Sequence, residues 1–277
     1  MFLFVAALVL AATGCSKEEA ATNDVQYVSE LKINFAGDTK VTATSDASGL
    51  KFAWEDGDEI YVFKNIENKT IYGIYKYDKS SNTFKTTDVN AMEAGADYFA
   101  VMRPTSTLNE SNLGTADVQV ELRWDDYSTM KQPPLISDVF KAEADGTIAT
   151  MHHLMGMVEI PVKLDGSATY TKIDEFFIYD DNVNKIAGSF IATPNGDYFK
   201  NVTTGHYYAY LKEAITLNKD NATTIRIPVL PGTHTMKLNY NYTDSESNSN
   251  SKQVNLGSIT VKRGMITKVP ETVINPN

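Results

Sequence analysis

The chain has 277 residues, with 35 acidic against 25 basic side chains and a formal net charge of −10. That balance argues against nucleic acid as a partner, because phosphate binding needs a basic surface. Cys15 is the only cysteine and tyrosine is abundant, at 15, so no internal disulfide staples the fold and the composition favours strands over helices.

Residues 2–12 read FLFVAALVLAA, without charge. The run is too short for a membrane-spanning helix, which needs about 20 apolar residues. It has the length of a signal-peptide apolar core followed by small residues. No Lys or Arg precedes it, so the true start is expected a little upstream. Ala12-Thr13-Gly14-Cys15 resembles a bacterial lipobox. That likeness implies a signal peptide over residues 1–14, cleavage between Gly14 and Cys15, and acyl chains such as palmitate on Cys15. Residues 15–24 then form a lipidated tether. Each buried CH₂ adds about 0.8 kcal/mol, so several chains hold a folded domain on a membrane. Ser16-Lys17-Glu18-Glu19 resembles the acidic export signal of surface-exposed outer-membrane lipoproteins.

Roughly 260 residues remain, enough for one large domain or two of about 130. Leu31, Ile33 and Phe35 alternate with Lys32 and Asn34, which predicts a strand. Turns are expected at residues 55–58 and 78–82, from their Asp, Gly, Ser and Asn content. Residues 90–94, just before Gly95, are the one short helix expected. Val118, Val120 and Leu122 alternate with Gln119 and Glu121, predicting another strand. Pro133-Pro134 and the loop at 143–147 mark a seam. It divides the chain into an N-terminal β-sandwich over 25–147 and a C-terminal one over 148–277. His153 stands before a half-buried strand that begins near Leu154. Turns follow at 165–167 and 194–197, and residues 211–217 fit helix or strand equally. Ile225, Ile227 and Val229 predict a strand, as do Met236, Leu238, Tyr240 and Tyr242, and Ile259 with Val261. The polar run TDSESNSNS at 243–251 reads as a hairpin tip. Short strands about every ten residues indicate an all-β sandwich or barrel.

No HExxH, CxxC or GxSxG occurs. His152 and His153 are adjacent, so a strand sends them to opposite faces; His206 and His234 stand alone. Carboxylates cluster at 55–59, at Asp125-Asp126 and at Asp180-Asp181. A glycosidase needs two carboxylates across a cleft and calcium needs about six to eight oxygens; a solvated turn is the plainer reading. No metal, no cofactor and no enzymatic activity are expected. Trp54 and Trp124 are candidate ligand-binding aromatics, able to stack on a sugar ring, and Tyr207, Tyr208 and Tyr210 extend that possibility.

Four stretches carry a family likeness: the lipobox with its acidic follow-on, residues 41–63 (VTATSDASGLKFAWEDGDEIYVF), residues 151–162 (MHHLMGMVEIPV), and residues 225–269, from IRIPVLPGTH to VKRGMITKV. Together they resemble the fimbrillin superfamily of lipoprotein fimbrial subunits and fimbrillin-like adhesins of Gram-negative anaerobes. The resemblance implies two tandem transthyretin-like antiparallel β-sandwiches at the cell outer membrane, exposed at the surface or built into fimbriae. It implies other fimbrial subunits, or host and bacterial surface ligands, as partners. It also implies assembly by strand exchange, in which a protease removes the lipidated segment with the first strand and the vacated groove takes a strand from the next subunit. Processing in such proteins follows an arginine beyond the first strand. Here the first arginine is Arg103, and only Lys32 and Lys40 lie between residues 25 and 45. Arginine-specific cleavage is therefore not expected: either a different protease acts, or the lipid stays as an anchor on an accessory or stand-alone surface protein. The alternative is a glycan-binding outer-membrane lipoprotein of a polysaccharide uptake system, resting on Trp54, Trp124 and the tyrosines.

Overall fold

A computed structural model describes residues 25–35, 54–64, 72–87, 91–102, 118–122, 134–194, 196–211 and 214–277. Among these residues every regular element is a strand. The first eleven are β1 (Tyr27–Val28), β2 (Glu30–Phe35), β3 (Glu59–Lys64), β4 (Tyr72–Asp78), β5 (Thr83–Lys85), β6 (Met92–Glu93), β7 (Asp97–Met102), β8 (Val118–Leu122), β9 (Leu135–Ser137), β10 (Phe140–Lys141) and β11 (Thr147–His153).

Seven of them close into one sheet in the order β7-β3-β4-β5-β2-β11-β9, and β9 returns to β7 through Val101↔Ile136 and Met102↔Leu135. Closure removes the sheet edges that would otherwise invite pairing with other chains. A β-sandwich was expected in this half; its sheet closes because β9 reaches both β11 and β7. Alternation sends Leu31, Ile60, Tyr75, Phe84, Met102 and Met151 into a shared core. β2 lies inside this sheet, antiparallel to β5 and parallel to β11 from Leu31↔Thr147 to Phe35↔Met151.

The expected helix at 90–94 is a strand where it is described. Met92 and Glu93 form β6 against β1. The buried Tyr75 hydroxyl accepts the Met92 N–H at 2.9 Å and donates to the Val28 carbonyl at 2.6 Å. Gly95 then turns the chain at φ 86°. Weak local propensity yields to this buried bonding.

The second half holds β12 (Gly156–Leu164), β13 (Lys172–Ile173), β14 (Glu175–Asp180), β15 (Ala187–Ala192), β16 (Phe199–His206), β17 (Tyr208–Leu211), β18 (Ile215–Thr216), β19 (Thr223–Val229), β20 (Gly232–Thr243), β21 (Ser249–Val261), β22 (Ile266–Lys268) and β23 (Thr272–Ile274). β12 is flanked by β19 on one side and by β22 and then β23 on the other. A second sheet runs β17-β14-β20-β21. The two bury Ile160, Phe176, Ile178, Ile227, Leu238 and Tyr240 in one core. The undecided stretch 211–217 gives the end of β17 and then β18, which pairs with β13. Of the polar run at 243–251, residues 244–248 are the β20–β21 hairpin tip and the rest are paired strand ends; in the tip the Asp244 carboxylate accepts the N–H groups of Glu246 and Asn248, each at 2.9 Å. Those backbone bonds, Asn248's first, hold the carboxyl below its ordinary value.

Strand pairing does not divide at residues 147 and 148. β11 starts at Thr147 and completes the closed sheet. β8 leaves the first half to pair with β15, from Gly188↔Leu122 to Ala192↔Val118. A third core joins the halves, with Phe63, Phe99 and Ile136 packed with Met157, Phe190 and Leu230.

Candidate functional site

Gly14, Cys15, Trp124, Asp125 and Asp126 lie outside the described residues. Trp54 packs against the core of the closed sheet. Its ring stacks on Phe35 at 5.5 Å, meets Phe84 edge-on at 4.7 Å and leans toward Tyr77 at 6.2 Å. The nearby acidic run is a turn: the Asp58 carboxylate accepts the Glu55 N–H at 2.8 Å, and Gly57 takes φ 87°. No group of three His, Cys, Asp or Glu side chains among the described residues is arranged to hold a metal ion. A cavity of about 350 Å³ opens between the β1–β2 segment and the loop before β11, with Tyr27, Glu30, Lys32, Glu143 and Asp145 in its walls.

The two adjacent histidines do point apart. His152 Nε2 sits 2.8 Å from Asp138 Oδ2, whereas His153 is buried beside Gly264. Tyr198 stacks on His152 at 4.5 Å and donates its hydroxyl to Asp138 Oδ1 at 2.7 Å. The Arg263 guanidinium lies 4.7 Å from the Tyr198 ring centre and donates to the Asp197 carbonyl. Asp138 follows β9, His152 is on β11, Tyr198 precedes β16 and Arg263 follows β21. Four separate segments from both halves thus meet in one stack, and Tyr198 adopts φ 60° to reach it. It is a clasp between the halves.

The clasp can be measured. Burial, and then the bond to Asp138, push the Tyr198 phenol up to about 12. Its neutral form is favoured in the folded chain, so this contribution is intact below the unfolded value of about 10 and is lost as pH rises from there through about 12. Tyr198→Phe is expected to cost about 1 kcal/mol at pH 8. In urea unfolding, the gap to wild type should narrow at pH 11, because only the parent pays for keeping that phenol neutral. A gap unchanged by pH would remove Tyr198 from this role.

The other concentration of chemistry is the outer face of the β17-β14-β20-β21 sheet. Alternation puts Phe176, Ile178, Ala209 and Leu238 inward, and the intervening residues outward. Register then builds two rows. One runs Tyr210, Phe177, Asn239, Gln253; the next runs Tyr208, Tyr179, Lys237, Asn255. Phe177 and Tyr210 are 5.1 Å apart, Tyr210 and Tyr208 5.3 Å, and Tyr208 and Tyr207 5.2 Å between ring centres. The face is therefore aromatic at its β17–β14 end and rich in amides at its β20–β21 end. Tyr179 ties the two, donating to Gln253 Oε1 at 2.7 Å across β20. Charges on the face are matched locally: Lys237 donates to Asp181 at 2.6 Å and Glu175 accepts from Asn241 at 2.8 Å. Burial, then the Glu175 charge, raise the Tyr210 phenol. The sequence had flagged Tyr207, Tyr208 and Tyr210. It missed Phe177 and Tyr179, whose outward alternation in EFFIYD was the available signal.

No family model matches the chain, and no curated protein matches it. Solved structures do. A candidate cell adhesion protein from Bacteroides ovatus superposes with a TM-score of 0.57 and 12% identity, over 90% of this chain and 93% of its own. A candidate cell adhesion protein from Bacteroides eggerthii does so with a TM-score of 0.50 and 13% identity, over 91% and 87%. At such identities the likeness is one of architecture: this chain has the all-β fold of these two proteins along nearly its whole length.

Proposed function

We propose that the chain is a non-enzymatic, surface-exposed lipoprotein of fimbrillin type, held in the cell outer membrane by lipid on Cys15 and serving as a fimbrial component or adhesin. The observation that carries this reading is the fold shared with a candidate cell adhesion protein over about nine-tenths of both chains. The two halves are read as variants of a tandem transthyretin-like plan, the first with its sheet closed.

The position of β2 bears on assembly. Because it is interior, removing it would strip β5 and β11 of a shared partner and uncover the core around Leu31. Such a groove is satisfied by a strand supplied in trans. With Arg103 the first arginine, the chain is read as retaining β2 and its tether, which favours an anchor or adhesin over a released stalk subunit.

Mass spectrometry of the mature protein, with fractionation of cells expressing wild type and Cys15→Ala, tests the reading. The expected result is an acylated N-terminal Cys15 in the outer-membrane fraction, accessible to surface labelling, and loss of that association in the variant. An unmodified Cys15 with unchanged membrane association ends the lipoprotein reading. Sheared filaments whose subunits begin beyond residue 35 would favour the stalk role; only chains starting at Cys15, without an oligomer ladder, exclude it.

A further inference from the structure

We propose that the outer face of the β17-β14-β20-β21 sheet is a glycan-binding platform, and that its ligand is a neutral polysaccharide of pyranose rings. The inference names a ligand class for the adhesion reading and rests on it.

The outward positions on β14 and β17 are Glu175, Phe177, Tyr179, Tyr208 and Tyr210; those facing them across the sheet include Lys237, Asn239, Asn241 and Gln253. No aliphatic side chain is among them. A pyranose ring has an apolar C–H face and a rim of hydroxyls. It needs an aromatic surface for the first and amides or carboxylates for the second, and a few well-placed polar groups beside apolar rings are the usual composition of such sites. This face supplies both, side by side. The rings of Phe177, Tyr210, Tyr208 and Tyr207 follow one another at 5.1, 5.3 and 5.2 Å, and Tyr207 at the end of the run is 45% exposed. Asn239, the half-buried β20 neighbour of Phe177, sets an amide side chain beside these rings.

Charge selects among polysaccharides. Lys237 is already matched by Asp181, and Glu175 is engaged by Asn241, while the chain as a whole is acidic at −10. Sulfated or uronic-acid polymers would meet like charge and, among the described residues, no free cation cluster on this face. β17 is an edge strand of its sheet, so a long polymer can enter and leave over the edge without a closed end.

The test is affinity electrophoresis of the full mature chain through gels containing xylan, yeast mannan or cereal β-glucan, with heparin and polygalacturonate as anionic counterparts. At least one neutral polymer is expected to retard the protein. Tyr208→Ala with Tyr210→Ala should weaken that binding roughly tenfold or more, as loss of two stacking rings implies, and Tyr210→Phe should preserve it. Retardation by no neutral polymer, retardation by the anionic polymers alone, or equal binding by the double variant overturns the proposal. Nitration of the wild-type chain, mapped by mass spectrometry, decides the matter if the double variant fails to fold. Tyr208 and Tyr210 should be protected by the retarding polymer and Tyr170 should not; no protection overturns the platform. Surface anchoring through Cys15 is scored separately. Intact anchoring without polysaccharide binding defeats this inference alone, whereas loss of anchoring strikes the adhesion reading.

Discussion

Gly156→Ala is expected to lower the thermal midpoint of the mature chain by about 6–12 °C. A Cβ at this position would stand 2.3 Å from the Lys262 carbonyl oxygen and 2.5 Å from Val261 Cγ1. Neither can step aside cheaply. Val261 is paired with Gly232 at the end of the long β20–β21 ladder, and the turn that follows is pinned by Gly264 N–H to Met155 carbonyl and Met157 N–H to Met265 carbonyl bonds, at 2.8 and 3.0 Å. Overpacking of this kind costs roughly 1–3 kcal/mol and sometimes more; two contacts this short against pinned partners put the cost at about 3. A chain of this size loses about 2–4 °C per kcal/mol, which gives the stated range. Gly166→Ala is the control, because nothing lies within 4 Å of the added atom, and it should stay within about 0.5 kcal/mol. Calorimetry reads both. A shift for Gly156→Ala no larger than the control's means that the β21–β22 turn yields, and the close approach is then no constraint. The position matters beyond stability, since Gly156 opens β12 directly after β11, where the chain passes from the closed sheet to the sandwich.

How far the sequence could be read depended on the distance between partners. The β20–β21 hairpin was legible almost whole, because two alternating runs and a polar tip lie together in the chain and register follows from the turn. Val118, Val120 and Leu122 were legible as a strand, but their partner β15 was not. Period-2 alternation states that one face is buried and says nothing about which distant strand lies alongside. The same limit hid the parallel β2–β11 pair and the closure of the first sheet by β9, and so the seam placed at 147/148 took no account of pairings that cross it. At 90–94 the limit was of another kind: local composition suggested a helix, and one buried tyrosine hydroxyl, bonded to both β1 and β6, decided for a strand. The outer aromatic face was half legible. Tyr208 and Tyr210 stood out as a local cluster, but the rows that bring Phe177, Asn239 and Gln253 beside them exist only through the register of four strands.

The largest loss from a polar residue is expected at Asp180, and its neighbour Asp181 provides the comparison. Asp180 Oδ2 is 3.0 Å from His234 Nδ1 and accepts from Asn184 Nδ2 at 3.1 Å, while Oδ1 accepts the Asn182 N–H at 2.7 Å. His234 Nε2 in turn lies 3.1 Å from the Leu230 carbonyl. The two side chains are 0% and 5% exposed. Removing one member of a buried pair leaves the other without compensation, at about 3–5 kcal/mol. Asp181 also makes a close pair, to Lys237 at 2.6 Å, but its side chain is 44% exposed, and such pairs are worth about 0–1 kcal/mol. Urea unfolding of Asp180→Ala and Asp181→Ala should therefore differ by at least about 2 kcal/mol. Asp180→Leu combined with His234→Phe should recover part of the loss, since a buried pair replaced by apolar groups no longer strands a polar partner. Equal effects for the two alanine variants would mean that water reaches Asp180 and that the enclosure is not maintained in solution. The consequence for binding follows from connectivity. Asp180 ends β14, the strand that carries Phe177 and Tyr179, and it ties the segment after β14 to His234 of β20, which in turn reaches Leu230 in the turn before that strand. The single variant should then weaken retention by polysaccharide gels through loss of order in a face it does not touch, and the double replacement, by restoring the packing, should bring retention back.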